Sequence, residues 1–252
     1  MKKMKTKTTG LILKQQNIGE QDRLVWVLTK DLGVIRAFVR GAKNIKNPKS
    51  AATSLLSYSD ISLYKGKDAY SIDEATIIKV FFDLRKDIEK MSLAQYFCEL
   101  SLTICPQEQE AERQLSLILN SLYLLCDTDR NPNLIKSCVE LRLASLAGYM
   151  PDLVMCKGCG AYEAQQMLFL TNKNCIVCAD CFSKKPTSQS IALDSGLLSA
   201  MRHIVFSEDK KVFSFSLSDE GLKNLNYITE NYICSVTEKD FSTLHFYKTI
   251  KS

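Results

Sequence analysis

Hydrophobic and polar residues alternate along the first third of the chain, which is the period of β-strands with one buried face. The stretch 8–16 alternates in this way, and the segments 22–30 and 33–41 are rich in valine, isoleucine and aromatic residues. After a polar break at 42–53, two more such segments follow, joined by a glycine-centred turn at Lys65–Lys67. These positions predict about five short strands within some 80 residues, which is enough to close a small β-barrel.

From Asp83 onward the hydrophobic positions recur at helical spacing. Pro106, Pro132 and the segment Gly148–Pro151 interrupt this pattern and separate the predicted helices. Helices are predicted over 83–104, 112–126, 133–150, 193–205 and 219–236. The sequence therefore predicts an α+β protein, with a barrel of the oligonucleotide-binding (OB) fold type at 1–82 and a helical domain at 83–252.

The composition is that of a globular protein, because 46% of the 252 residues are hydrophobic and 24% are charged. No apolar run approaches the roughly 18 residues of a membrane span. The basic start of the chain carries only a few apolar residues before Lys14, which is too few for a signal peptide. We therefore expect a cytoplasmic protein without a membrane partner, whose ten cysteines are reduced thiols.

Five of these cysteines fall within 26 residues, and four of them form two pairs with metal-ligand spacing. Cys156 and Cys159 are separated by two residues, as are Cys178 and Cys181, and 18 residues separate the pairs. Two residues between cysteines allow a tight turn to direct both thiolates at one ion, and Gly160 suits the end of such a turn. The spacing predicts a structural zinc module at about 153–184.

Cys175 leaves the choice of ligands open at this point. Fifteen residues separate Cys159 from Cys175, so Cys175 with Cys178 also fits as the second pair. The run Cys175, Cys178, Cys181 matches part of a ferredoxin cluster motif, although zinc is favoured over an iron–sulfur cluster. The other five cysteines are scattered singly through apolar helical stretches and are predicted to be core residues, namely Cys98, Cys105, Cys126, Cys138 and Cys234.

Positive charge is concentrated in the predicted barrel. Residues 1–82 hold 15 lysines and arginines against 7 acids, a net charge of +8, whereas residues 83–252 hold 18 against 21. No acid occurs between Leu32 and Ser59. This asymmetry predicts a polyanionic partner, and DNA is the expected one. Trp26 and Phe38 lie among apolar neighbours and are predicted to be core aromatics. The predicted DNA-binding residues are Arg23, Lys30, Arg36, Arg40, Lys43, Lys46 and Lys49.

No catalytic motif is evident in the sequence. It has no phosphate-binding loop, no nucleophile elbow and no dinucleotide-binding glycine motif. His203 and His245 are the only histidines, and each lies in an apolar helical stretch where helix packing is the simpler role. We therefore predict a binding protein rather than an enzyme, without a small-molecule substrate. A zinc-ribbon transcription factor and a redox enzyme using the cysteine pairs are the alternatives.

Several stretches taken together resemble the RecO family of bacterial recombination mediators. They are 19–44, 63–75, 81–100 and 140–160, followed by the "CADC" segment at 178–181. The resemblance extends over residues 8–182 in order, and the last seventy residues match only as a helical pattern. Where the family often has a glycine pair, this chain has Asn174 and Cys175, so Cys175 is an additional thiol by this alignment.

The resemblance implies an N-terminal OB fold, a helical domain and a zinc site formed by Cys156, Cys159, Cys178 and Cys181. It implies ATP-independent binding of single- and double-stranded DNA with weak sequence preference, strand annealing, and nucleoid association. It also implies RecR and the C-terminal tail of single-strand-binding protein (SSB) as partners in loading recombinase onto coated strands. An apolar groove near Arg142 or Arg202 is the expected receptor for that tail.

Overall fold

The computed structural model describes residues 5–67, 69–187 and 190–251, and its elements follow the predicted periodicity closely. The strands are β1 (Lys5–Ile18), β2 (Asp22–Thr29), β3 (Gly33–Val39), β4 (Ser57–Lys65), β5 (Tyr70–Val80), β6 (Met167–Leu170), β7 (Cys175–Cys178) and β8 (Ser190–Leu193). The helices are α1 (Pro48–Ala52), α2 (Ile88–Ile104), α3 (Glu112–Asp127), α4 (Pro132–Leu146), α5 (Ala179–Lys184), α6 (Ser195–Phe206), α7 (Asp219–Thr237) and α8 (Ser242–Lys251).

The first five strands form a closed barrel in the order β1-β2-β3-β5-β4, which confirms the α+β class. All neighbours pair antiparallel except β3 and β5, which pair in parallel over a short stretch. Alternate residues of each strand fill the interior with aliphatic side chains. Ile12, Val25, Val27, Ile35 and Leu63 are among these core residues. The OB-fold assignment itself stays a prediction.

A glycine is required at the turn between β2 and β3. Gly33 has a φ of +63°, and a Cβ atom there would lie 2.1 Å from the carbonyl oxygen of Pro106. Val34 N–H donates a hydrogen bond to the same oxygen at 2.8 Å. The turn therefore lies directly against the segment that follows α2.

The chain folds as two compact units, Met1–Asp129 with Phe241–Ser252, and Arg130–Asp240. In the first unit, α8 packs on α2, where Glu99 accepts hydrogen bonds from the backbone and hydroxyl of Thr243. The predicted domain boundary at residue 82 coincides with the end of the strand periodicity and stays a prediction.

The second unit is organised around α4, whose residues from Leu134 to Ser145 are all buried. The Lys136 ammonium lies 3.0 Å from Glu140 on the same helix and 3.2 Å from Glu230 on α7. Such an ion pair is tolerated in a core only when both partners are present. A three-stranded sheet in the order β7-β6-β8 completes this unit.

The core prediction for the scattered cysteines holds in three cases and is incomplete in two. Cys98, Cys105 and Cys138 are buried, whereas Cys126 and Cys234 are half-buried. Burial raises the pKa of Cys98 to about 12, so this thiol stays protonated at neutral pH. Among the described residues, no helix combines the length and the hydropathy that crossing a membrane requires.

Candidate nucleic-acid interface and metal centre

The outer surface of β3 presents cationic and aromatic side chains together. Arg36 and Phe38 are exposed, whereas Ala37 and Val39 point into the barrel and are buried. Phe38 is 42% exposed, so the prediction that it is a core aromatic is wrong. The physical reason is the two-residue period of a strand, which places Phe38 on the same face as Arg36.

The neighbouring strands extend this surface. Trp26 on β2 lies opposite Arg36, and Lys14 on β1 lies opposite Trp26. The Lys14 ammonium lies 4.9 Å from the centroid of the Trp26 ring, which is a cation–π distance. Trp26 is half-buried on the outer face and lies outside the barrel core cluster, so its prediction as a core aromatic is also wrong. We refer to Lys14, Trp26, Arg36 and Phe38 as the outer row.

The segment after β3 carries the remaining predicted cations on a structured loop. Arg40, Lys43 and Lys46 are exposed, and Lys49 is half-buried at the start of α1. Lys43 N–H donates to the carbonyl oxygen of Gln21 at 3.1 Å. Gly41 N–H donates to Asp22 Oδ1 at 2.9 Å. These bonds hold residues 40–49, the basic loop, against the turn between β1 and β2.

Arg23 and Lys30, two of the predicted DNA-binding residues, each bind a local partner through the side chain. Arg23 Nη1 donates to the carbonyl oxygens of Ser50 and Thr53 at the end of α1, and burial lowers the pKa of its guanidinium. The Lys30 ammonium lies 2.9 Å from Glu112, which raises the pKa of Lys30. Their predicted role in DNA binding stays a prediction, and the observed contacts give each a structural role.

The paired cysteines of the second unit converge on one point. The sulfur atoms of Cys156, Cys159, Cys178 and Cys181 all lie within 4.8 Å of one another. The Cys159 and Cys178 sulfurs are 3.7 Å apart. Four thiolates about 2.3 Å from a central zinc ion stand about 3.8 Å apart at the corners of a tetrahedron. The four thiols are therefore placed as a metal site requires, and Cys175 lies outside the group.

Backbone geometry positions both cysteine pairs. Lys157 N–H donates to Ile176 O at 2.9 Å and so ties the first pair to β7. A Cβ atom on Gly158 would lie 2.7 Å from the Cys181 sulfur, so the absence of a side chain there admits Cys181 to the cluster. Gly160 has a φ of +77°, which confirms the prediction that it occupies the exit of the turn.

The Cys156 sulfur accepts hydrogen bonds from backbone donors, as a thiolate ligand does. Cys178 N–H lies 3.2 Å away and Gly158 N–H lies 3.4 Å away. Burial acts to raise the pKa of Cys156, but the backbone donors outweigh it and lower the pKa to about 6. Cys175 lacks such an environment, and burial raises its pKa.

A groove of about 720 Å³ lies along one face of α6. Val154, Tyr162 and Phe206 contribute exposed apolar surface to it. The Arg202 guanidinium stacks 3.9 Å from the Tyr162 ring and donates to the carbonyl oxygen of Leu153. Arg142, in contrast, is buried, donates to carbonyl oxygens at the end of α6, and does not line this groove.

Family models match both parts of the chain. The model described as "Recombination protein O N terminal" matches residues 1–81, and the one described as "Recombination protein O C terminal" matches residues 85–245. The chain belongs to the recombination protein O (RecO) family of DNA repair proteins. The resemblance drawn from the sequence is thereby confirmed.

Similarity to curated RecO proteins extends over nearly the whole chain. A protein named "DNA repair protein RecO" from Acetivibrio thermocellus is 34% identical over 244 residues, covering 97% of this chain and 96% of the relative. A second, from Symbiobacterium thermophilum, is 29% identical over 246 residues, with 96% of each chain covered. Both RecO domains are therefore present in this sequence.

Proposed function

We propose that the protein binds single- and double-stranded DNA through the outer row and the basic loop of its barrel. The observation that carries this proposal is the outer row itself, where Arg36 and Lys14 alternate with the rings of Trp26 and Phe38. Proteins that bind single strands combine cations that contact phosphates with aromatic faces on which bases stack. The strand order supports an OB fold, whose second and third strands form the oligonucleotide-binding face.

Family membership supports the finer role. We propose that the protein anneals complementary strands and helps to load recombinase onto SSB-coated single strands, with RecR as a partner. The proposed activity is binding rather than catalysis and requires no ATP. A cytoplasmic, nucleoid-associated location follows from this role.

The salt dependence of DNA affinity tests the proposed interface. Each phosphate contact releases condensed counterions, so the logarithm of affinity should fall with the logarithm of salt concentration, by roughly 0.7 per contact for single strands. Arg36→Ala and Arg40→Ala should each flatten this slope by the amount of about one such contact. Each should also lower the affinity for all DNA sequences to a similar extent. Lys223→Ala removes an exposed charge from the second unit and is the control. An unchanged slope in the Arg36/Arg40 double variant would place the DNA elsewhere.

We propose that the four-cysteine cluster holds one structural zinc ion. Four protein thiolates leave no open coordination position, so the bound metal would stabilise the fold and provide no catalytic site. Metal analysis should find one zinc per chain, retained in Cys175→Ser and lost in Cys181→Ser. The opposite pattern in these two variants would show that Cys175 is the ligand. A brown protein with visible absorption would indicate an iron–sulfur cluster instead.

We propose that the groove along α6 receives the C-terminal tail of SSB. Its apolar surface suits the apolar end of that tail, and Arg202, which is held by the carbonyl oxygens of Leu153, Val154 and Tyr162, lines it. A labelled tail peptide should bind the wild-type protein at low salt, and Phe206→Glu should abolish this binding. Phe246→Glu, which changes an exposed phenylalanine in the first unit, is the control. Equal binding by the wild type and the Phe206 variant would exclude this groove.

A further inference from the structure

The basic loop carries an isoleucine with almost no packing contact. Ile45 is 93% exposed, whereas the other large exposed apolar side chains range from 38% to 65%. A single exposed apolar residue on a protein surface is common and by itself requires no explanation. Ile45 is unusual in two further respects, the order of its loop and the charge around it.

Several hydrogen bonds fix the backbone on both sides of Ile45. Lys46 N–H donates to Asn44 Oδ1 at 3.0 Å, and Asn47 N–H donates to Asn44 O at 2.9 Å. The Asn47 side chain in turn donates to Gly41 O at 3.0 Å. The loop is thus internally bonded, and together with the contacts to Gln21 and Asp22 it projects Ile45 away from the barrel. An ordered tip loses little conformational entropy when it binds.

The surroundings of Ile45 match a polyanion. Lys43 and Lys46 lie two positions before and one position after it, and both are exposed. Arg40 and Lys49 lie at the two ends of the loop, and the sequence from Leu32 to Ser59 contains no acid. A carboxylate does lie at the base of the loop, where Asp22 accepts a hydrogen bond from Gly41 N–H. An apolar side chain in such surroundings is placed close to a phosphate backbone whenever the loop binds one. Beyond the phosphates, the uncharged surfaces of that ligand are its deoxyribose rings and its bases.

We propose that Ile45 is a wedge that inserts at a base step of DNA where the strands separate. Proteins that distort DNA often insert an isoleucine, leucine or phenylalanine between base steps, and thereby partly unstack them. Insertion costs least where a base is already unpaired, as at the junction between duplex and single strand. The cations of the loop would contact the flanking phosphates. This inference rests on the proposed DNA binding and adds to it a preference for strand junctions.

The test compares Ile45→Ala and Ile45→Leu with the wild-type protein on a forked duplex and on single-stranded oligonucleotides. Ile45→Ala should lose roughly five- to thirtyfold in affinity for the fork, which corresponds to about 1–2 kcal/mol. Its salt slope should be unchanged, because no phosphate contact is lost. Ile45→Leu should retain the affinity. Ile88→Ala, at an isoleucine that is 65% exposed at the start of α2, is the matched control and should bind as the wild type does.

A 2-aminopurine base at the fork junction gives an independent readout, since its fluorescence rises when it is unstacked. The wild-type protein and Ile45→Leu should raise the fluorescence, and Ile45→Ala should not. Fork affinity within twofold of the wild type, or an undiminished fluorescence rise in Ile45→Ala, would overturn the wedge. Absence of all DNA binding by the wild-type protein would instead contradict the proposed function on which the wedge depends.

A lipid surface is the other ligand that an apolar residue among cations could meet. Flotation with vesicles of phosphatidylglycerol and phosphatidylcholine distinguishes the two. Binding to vesicles that depends on Ile45, together with unchanged fork binding in Ile45→Ala, would assign the loop to membranes and overturn the proposal. No vesicle binding is the expected result.

Discussion

At the scale of single residues, two arginines that are both predicted to bind DNA lie in different environments. Arg23 and Arg36 are each the only lysine or arginine of their strand, each strand also carries an aromatic residue, and both arginines are predicted to bind DNA. Arg23 donates to carbonyl oxygens at the end of α1, whereas Arg36 stands on the exposed outer row. The position of an arginine in the sequence does not show which acceptor its guanidinium binds, because that acceptor can be a backbone oxygen about 30 residues away.

Arg23→Ala should therefore affect stability more than DNA affinity. The carbonyl oxygens of Ser50 and Thr53 would lose a charged donor, and we expect the free energy of unfolding to fall by about 1–2 kcal/mol. Urea denaturation measures this loss. Arg36→Ala should show the larger loss of affinity for single strands, because its exposed side chain lies on the outer row. An Arg23→Ala protein that is as stable as the wild type but binds DNA much more weakly would indicate that Arg23 contacts DNA.

At the scale of elements, the sequence predicts those strands and helices whose hydrophobic positions repeat regularly. The five long strands and the main helices are predicted because each repeats its pattern over several turns or alternations. The sheet β7-β6-β8 is not predicted, because the strands "MLFL" and "CIVC" have four residues each and are buried throughout. Helix α1 is also missed, since its five residues lie in a polar break where only Asn47 and Pro48 signal a helix start.

The same periodicity also predicts on which face of its strand a side chain lies. In the segment "RAFVR" at 36–40, Arg36, Phe38 and Arg40 occupy alternate positions. If the arginines face solvent, so must the phenylalanine between them. The apolar neighbours of Phe38 in the sequence instead favour a core position, which is the prediction that the structure contradicts. The spacing of the cysteines predicts a metal site but leaves Cys175 as an alternative ligand, and the resemblance to the RecO family selects the group of four that the structure brings together.

The outer row leads to a prediction for Phe38. If bases stack on its ring, Phe38→Ala should lower single-strand affinity by about 1–3 kcal/mol. The salt slope should remain that of the wild type, because stacking releases no counterions. Phe82→Ala, at a phenylalanine that is 60% exposed outside the row, is the control. Equal losses in the two variants would show that exposed aromatic surface, rather than the outer row, determines affinity.

At the scale of the whole molecule, the proposed DNA interface and the cysteine cluster belong to different compact units. The outer row and the basic loop lie in the unit that contains the barrel, and the four clustered cysteines lie in Arg130–Asp240. Trp26 is the only tryptophan of the chain and belongs to the first unit. Its fluorescence therefore reports the unfolding of the barrel, and release of the proposed zinc ion would report the unfolding of the second unit.

Removing the metal should destabilise the second unit alone. A zinc ion that binds only the folded thiolate cluster contributes its binding free energy to the folding of that unit. After treatment with a strong chelator, the helical circular dichroism signal should acquire a separate transition, more than about 10 °C below that of the untreated protein. The Trp26 fluorescence transition should shift little, and affinity for single strands should persist. Equal shifts of both signals would show that the two units unfold as one cooperative structure, and that the metal stabilises the barrel as well.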